Sequence, residues 1–263
     1  MTLTPLRTDR PPDVASDKVA PFAPPLQLTE EHHLCPGCGH PVAWRLIMEV
    51  LSELGIENRA IEVVGHGCYT GIVAMADIDA IQVLHGRAPA VATGLKRVQP
   101  DAVVMTVQGD GDMATEGLHE ILHAAARGEN ITAIMLNNGV FGDTGGQMTA
   151  TTVLGQRTKT SLEGRNPTDH GFPIPLADLI ATIEGAAYVA RGAVNNAGSI
   201  AQTKKFLTRA FETQMQGGGF SFVEVLTMCP TGWIIPTASG PDYVAGTFEK
   251  TFPVHQIKAD GAD

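Results

Sequence analysis

Two short loops hold the residues best suited to chemistry, Gly109-Asp110-Gly111 and Asn137-Asn138. Asp110 offers a hard carboxylate and Asn138 an amide oxygen, donors of the kind Mg²⁺ takes alongside phosphate oxygens. The glycines on either side of Asp110 let the backbone approach a diphosphate, and a helix following Asp112 would aim its N-terminus at the anion. Together these residues point to a magnesium–diphosphate site. The second chemically capable set is the four cysteines, Cys35, Cys38, Cys68 and Cys229. The first two form Cys-Pro-Gly-Cys just ahead of a helix, and Cys68 and Cys229 each follow an apolar, strand-like run. Disulfides need an oxidising compartment, and nothing in the chain suggests export. Short zinc modules pair two close Cys-x-x-Cys knuckles, whereas an iron–sulfur cluster accepts scattered ligands. From spacing alone zinc and iron–sulfur stand even.

The elements around these residues explain how they meet. Val103–Val107 and Ile131–Leu136 read as strands, joined by a helix over about Ala114–Arg127. Parallel strands connected by a helix bring both loops to one carboxyl edge, where α/β proteins bind ligands. The same edge receives Cys68 after a strand at Ala60–Val64 and Cys229 after one at Ser221–Leu226. Further helices are expected over Pro41–Leu54, stopped by Gly55, over Ala88–Val98 and over Ala197–Met215, with another strand at Ala187–Val194. Strand and helix alternate, so the fold class is α/β, a parallel sheet with helices on both faces. Residues 141–175 are rich in Gly, Thr and Pro and read as a long irregular segment of the kind that carries function. Residues 1–30 carry Pro11-Pro12 and Pro24-Pro25 and read as an extended or disordered arm, leaving 31–263 as one α/β domain.

With 263 residues and 43% hydrophobic content the chain can bury a full core. No apolar run reaches membrane-spanning length and no signal peptide opens the chain, so a cytoplasmic location without membrane is expected. A net charge of −10 argues against nucleic acid as a partner.

Four motifs occur in one order: Cys35-Pro36-Gly37-Cys38-Gly39-His40, His85-Gly86-Arg87 running on to Thr93-Gly94, Gly109-Asp110-Gly111-Asp112, and Thr144-Gly145-Gly146-Gln147. In combination they resemble the β subunit of 2-oxoacid:ferredoxin oxidoreductases from about Cys35 to Cys229. Gly145-Gly146-Gln147-Met148, Thr151-Thr152 and Gly164-Arg165-Asn166-Pro167 resemble the 2-ketoisovalerate, branched-chain type. The resemblance implies the thiamine diphosphate-binding, diphosphate-type domain, with Mg²⁺ and a 4Fe–4S cluster. It implies Cys35, Cys38, Cys68 and Cys229 as cluster ligands, and Asp110, Asn138 and the Val140 carbonyl as magnesium ligands. Cofactor contacts fall on Gly67, Tyr69, His85, Gly109, Gly111, Asp112, Gly142, Thr144 and Gly145. The implied reaction is oxidative decarboxylation of a 2-oxoacid to acyl-CoA and CO₂, with electrons passing through the cluster to ferredoxin and coenzyme A as acyl acceptor. A partner α subunit carrying the pyrimidine-binding domain is implied, with room for further γ and δ subunits.

The chain departs from the family where it reads Phe141-Gly142-Asp143-Thr144, because a neutral side chain is usual at Asp143. His66 and Tyr69 flank Cys68 where the subgroup is more apolar. Asp143 and His66 are therefore the candidate catalytic or substrate-facing groups, against the plainer reading of a solvated carboxylate and a structural histidine. Asp112 is expected to cap the following helix, to contact cofactor, or both. Arg165 reads as an exposed loop arginine that contacts coenzyme A or a partner. His119-Glu120-Ile121-Leu122-His123 fits a zinc-protease pattern, but it lies on a connecting helix with no third ligand nearby and reads as ordinary surface or packing residues. Two other functions stay open: a non-oxidative thiamine-dependent decarboxylase subunit with structural zinc, and an electron-transfer subunit without thiamine chemistry.

Overall fold

A computed structural model describes residues 32–259; the N-terminal arm expected over 1–30 lies outside the described residues. Seven strands form one sheet in the order β2-β1-β3-β4-β8-β7-β9. They are β1 (Ala60–Val64), β2 (Asp79–Gln82), β3 (Val103–Gly109), β4 (Thr132–Asn137), β7 (Ala186–Ala193), β8 (Phe220–Leu226) and β9 (His255–Ala259). Val140–Phe141 (β5) and Gln147–Met148 (β6) make a separate antiparallel pair. The helices that matter are α1 (His40–Glu53), α2 (Ala88–Val98), α3 (Leu118–Ala126), α4 (Pro167–His170), α5 (Leu176–Ala181), α6 (Ala197–Met215) and the single turn α7 (Pro230–Trp233). No helix among the described residues is long and apolar enough to cross a membrane.

Alternation along the central strands builds two cores. Met105, Ile134 and Val223 face α1 and α6, and Val104, Ala133 and Phe222 face α2, α3 and α5. Strands apolar on both faces are what a parallel sheet between two helical layers requires. The chain leaves β1 toward β2 on one side and leaves β3 toward β4 on the other, so a crevice opens between β1 and β3 at their carboxyl ends. Ligands of open α/β sheets bind at such a switch point.

The structure corrects the expected pattern in three places. β9 runs antiparallel to β7, so the sheet is mostly rather than wholly parallel. β2 and β9 were not expected, because both are largely polar, partly exposed edge strands without an apolar run. The helix expected over Ala114–Arg127 begins as a π-helical turn at Gly111–Glu116 and becomes α-helical only at Leu118. The break falls at Gly117, which packs backbone to backbone against Gly86: a Cβ on Gly117 would lie 2.6 Å from the Gly86 Cα.

Candidate cofactor site at the carboxyl edge of the sheet

A cavity of about 470 Å³ opens at the ends of β1, β3 and β4. Its floor is the Asp110 loop. Asp110 is 1% exposed. Its Oδ1 accepts from the Asn138 N–H at 3.1 Å, and its Oδ2 accepts from the hydroxyls of Thr149 and Thr151, each at 2.6 Å. Burial nevertheless pushes its pKa up to about 6, because these hydrogen bonds only partly offset lost hydration. A desolvated carboxylate on a cavity floor is a natural cation ligand. Asn138 sits beside it in a tight turn, its side-chain oxygen accepting from the Val140 N–H at 3.0 Å. Gly139 takes a positive φ of 68° there, and the Trp233 indole N–H fastens the Asn138 carbonyl at 2.8 Å. Val140 is buried in the cavity wall.

Asp112 does not cap its helix. Its carboxylate instead collects the backbone N–H of His66 at 3.0 Å, the Tyr69 hydroxyl at 2.6 Å and the backbone N–H of Gly86. It thus ties together the loops that follow β1 and β2. Tyr69, expected as a cofactor contact, is 2% exposed with its hydroxyl turned inward to Asp112. His85 lies over the same carboxylate, Nδ1 3.7 Å from Oδ1, and its ring meets His66 edge-on at 5.1 Å. Two glycines keep this cradle open. A Cβ on Gly65 would collide with the Asp112 carboxylate, and one on Gly111 with the Phe141 ring. Gly67, Gly109, Gly142, Thr144 and the exposed Asp143 also line the cavity. Gly145, with φ 112°, lies next to it in the loop that follows β5.

The four cysteines gather at one side. All are free thiols. A Cβ on Gly142 would lie 3.3 Å from the Cys229 sulfur and 3.6 Å from that of Cys68. The Gly39 N–H donates to the Met228 carbonyl at 2.9 Å and so draws the Cys35–Cys38 turn to the end of β8. Burial pushes Cys38 and Cys68 up to about 12 and Cys229 up to about 11; the charges of the other thiols add to each rise, and Asp143 adds to that of Cys68. Among the described residues, no three His, Cys, Asp or Glu side chains come close enough to share a single metal ion. His119 and His123 are exposed on α3, where Glu120 pairs with Arg87 and with His119.

Several site residues escaped the sequence analysis. His40, 3% exposed, reaches Asn138 Nδ2 at 3.4 Å and stands edge-on to Tyr69. Burial lowers its pKa to about 4, so it is neutral. Its place directly after Cys-Pro-Gly-Cys-Gly was the available signal. Thr149 and Thr151 carried no signal beyond a threonine-rich run. Arg165 requires a correction. It is 6% exposed, and its guanidinium donates to the carbonyls of Thr149, Ala150, Thr152, His170, Gly171 and Phe172. It binds its own loop rather than an outside ligand.

Comparison with known proteins agrees with this geometry. Residues 65–225 match the family described as thiamine pyrophosphate enzyme, C-terminal TPP binding domain. The chain is 39% identical over 231 residues to ketoisovalerate oxidoreductase subunit VorA of Methanothermobacter thermautotrophicus, a match covering 88% of this chain and 48% of that protein. It is 35% identical over 197 residues to 2-oxoglutarate synthase subunit KorB of Archaeoglobus fulgidus, covering 75% of this chain and 69% of that one. The chain therefore spans about half the length of the VorA relatives it matches. Among solved structures it superposes on a 2-oxoglutarate:ferredoxin oxidoreductase from Magnetococcus marinus, solved with 2-oxoglutarate, coenzyme A and succinyl-CoA bound. The TM-score is 0.73 at 26% identity, covering 94% of this chain and 88% of that one. A buried carboxylate and amide on a glycine cradle, at the switch point of a mostly parallel sheet, together with these matches, make the chain a member of the thiamine pyrophosphate enzymes, in the family of 2-oxoacid:ferredoxin oxidoreductase subunits.

Proposed function

We propose that this chain is the diphosphate-binding subunit of a 2-oxoacid:ferredoxin oxidoreductase, taking a branched-chain 2-oxoacid to its acyl-CoA and CO₂. The observation that carries the proposal is the buried Asp110 carboxylate beside Asn138, facing a cavity that Cys68 lines, with the Cys68 and Cys229 sulfurs both beside Gly142 in its wall. The residues fit the groups this activity needs. Asp110 and Asn138, with the Val140 carbonyl, would hold Mg²⁺, whose charge would offset the desolvation that raises the Asp110 pKa. Gly109, Gly111 and the Gly65–Gly67 turn leave room for a diphosphate, because side chains there would strike Tyr69, Phe141 or Asp112. Cys35, Cys38, Cys68 and Cys229 would hold a 4Fe–4S cluster, losing their protons as they bind it.

Thiamine diphosphate, when bound, supplies the carbanion chemistry that breaks the bond to the carboxylate, and the protein supplies orientation and electrostatics. Asp112 fixes His66, Tyr69 and Gly86 relative to one another and so fixes the shape of the cradle. His40, neutral and buried against Asn138, keeps water and charge away from that corner. His66 and Asp143 stand exposed at the mouth, where this chain's own acid–base groups would meet the substrate. Relatives named for ketoisovalerate at 39% and 38% identity support a branched-chain substrate over 2-oxoglutarate, for which relatives at 35% and 33% are named. Ferredoxin as acceptor and coenzyme A as acyl acceptor follow from the same family.

The deciding experiment is iron, acid-labile sulfide and zinc content of anaerobically purified protein with its partner co-expressed. About four iron and four sulfide per chain is the expected result for one such cluster. One zinc without sulfide would turn the cysteines into a structural clamp and favour non-oxidative thiamine chemistry.

A further inference from the structure

A buried line of polar side chains leads away from Asp110 across strands β4, β8 and β7. Thr151 Oγ1 lies 2.6 Å from Asp110 Oδ2 and 3.1 Å from Asn137 Oδ1. Asn137 Nδ2 donates to Glu224 Oε1 at 2.6 Å, and Glu224 Oε2 accepts from Arg191 Nε at 2.7 Å. Arg191 ends the line, its other nitrogens donating to Asp178 and to the Pro253 carbonyl. Thr151, Asn137, Glu224 and Arg191 are all 0% exposed, and none of them lines the cavity.

An ion pair at this place needs a reason. Arg191 and Glu224 are direct cross-strand neighbours on β7 and β8, in a layer otherwise packed with Ala133, Met135, Val189 and Phe222. Apolar residues of similar volume are often as stable as a buried ion pair, so stability alone does not call for these charges. What the pair does is orient Asn137. A carboxylate only accepts, so the Asn137 NH₂ must face Glu224 and its Oδ1 must face the other way. That oxygen receives the Gly139 N–H at 3.1 Å and meets Thr151. Gly139 is the left-handed residue of the turn that presents Asn138, and Thr151 is a direct partner of Asp110. Both cavity-floor side chains are therefore set from one buried amide. Arg191 holds the Glu224 side chain in place.

We propose that Glu224, clamped by Arg191, is a positioning residue that sets the divalent-cation affinity of the Asp110–Asn138 pair through Asn137 and Thr151. The proposal rests on the assignment of that pair as the magnesium site. Metal-ligand supports of this kind cost about 10–100-fold in affinity when changed.

The test is titration of Mn²⁺, with thiamine diphosphate present, into the full chain purified with its co-expressed partner. Free Mn²⁺ is read from its electron paramagnetic resonance signal. Glu224→Gln keeps the shape but lets the Asn137 amide turn over, and is expected to weaken Mn²⁺ binding about 10–100-fold. The charge-balanced double variant Arg191→Met with Glu224→Gln leaves no unpaired buried ion, and is expected to show the same loss if the single variant fails to fold. Leu207→Ala, a core cavity on α6 across the sheet, is expected to lower stability while keeping wild-type affinity. Wild-type affinity in the glutamate variants would overturn the proposal alone, as would an equal loss in Leu207→Ala. Absence of Mn²⁺ binding by the wild-type protein would overturn the magnesium assignment and the proposal with it.

Discussion

Asp110 shows at the scale of one residue how a buried carboxylate works against stability. Its pKa rises from the ordinary 3.8 to about 6, burial outweighing the hydrogen bonds from Thr149, Thr151 and Asn138. Without metal, the folded chain binds this proton more tightly than the unfolded chain. The stability this contributes is fully present below about pH 4 and is lost as pH rises through about 6. Two pKa units correspond to about 3 kcal/mol. Asp110→Asn removes the charge but keeps a group the threonine hydroxyls can bond. In metal-free protein its urea midpoint is expected to exceed wild type at pH 8 by the equivalent of about 2 kcal/mol, with the gain shrinking toward pH 4, and it should no longer respond to Mg²⁺. A variant no more stable than wild type at pH 8 would show that Asp110 carries no such penalty. Asp110 and Asn138 could be found from sequence because their types and loop positions suffice to suggest metal binding. Thr149 and Thr151 could not, since nothing local to 149–151 says that this segment folds back under the Asp110 loop.

The 141–175 segment carries the lesson at the scale of elements. Composition marks it correctly as a long segment with little regular structure, with only β5, β6 and the single turn α4 inside it. Its order comes from Arg165, whose guanidinium gathers six carbonyls from both ends of the loop. Arginine is suited to this because it presents five N–H donors in a rigid plane. Arg165→Ala would leave several buried carbonyls without donors, at about 1–3 kcal/mol for each that stays dry. Because Thr149 and Thr151 lie within the region it holds, the floor of the site should loosen as well. Limited proteolysis is expected to open cleavage between Thr149 and Phe172 in this variant before the rest of the chain is attacked. An unchanged cleavage pattern would mean that other contacts order the loop.

At the scale of the whole molecule the sheet supplies one edge and the site uses its central stretch. The Cys68, Asp110, Asn138 and Cys229 segments follow β1, β3, β4 and β8, which are four consecutive neighbours in the sheet. Beside the cavity, in a shallow depression that shares His66 and His85 with it, Leu84 is 81% exposed. That exposed apolar surface suits a site completed by another domain, which the proposed function supplies as the pyrimidine-binding partner. The chain purified alone is accordingly expected to release no CO₂ from branched-chain 2-oxoacids, and to do so once co-assembled with that partner. Turnover by the rigorously isolated chain would refute this.

The sequence by itself determined the chemistry on offer and the order in which it arrives. Apolar strands ending in Gly-Asp-Gly, Asn-Asn and cysteine place those residues at one edge in any parallel α/β sheet, because strand direction and crossover handedness leave little choice. Tertiary structure alone decided which polar groups face the cavity and which are spent holding it together. Asp112, Tyr69 and Arg165 have the types of ligand contacts, yet their partners lie 46, 43 and up to 16 residues away and turn them inward. The Asn137–Glu224–Arg191 line likewise joins β4, β8 and β7, residues that only the pairing of the sheet makes neighbours. Side-chain type is local, but the partner that satisfies a buried polar group is set by packing between distant segments.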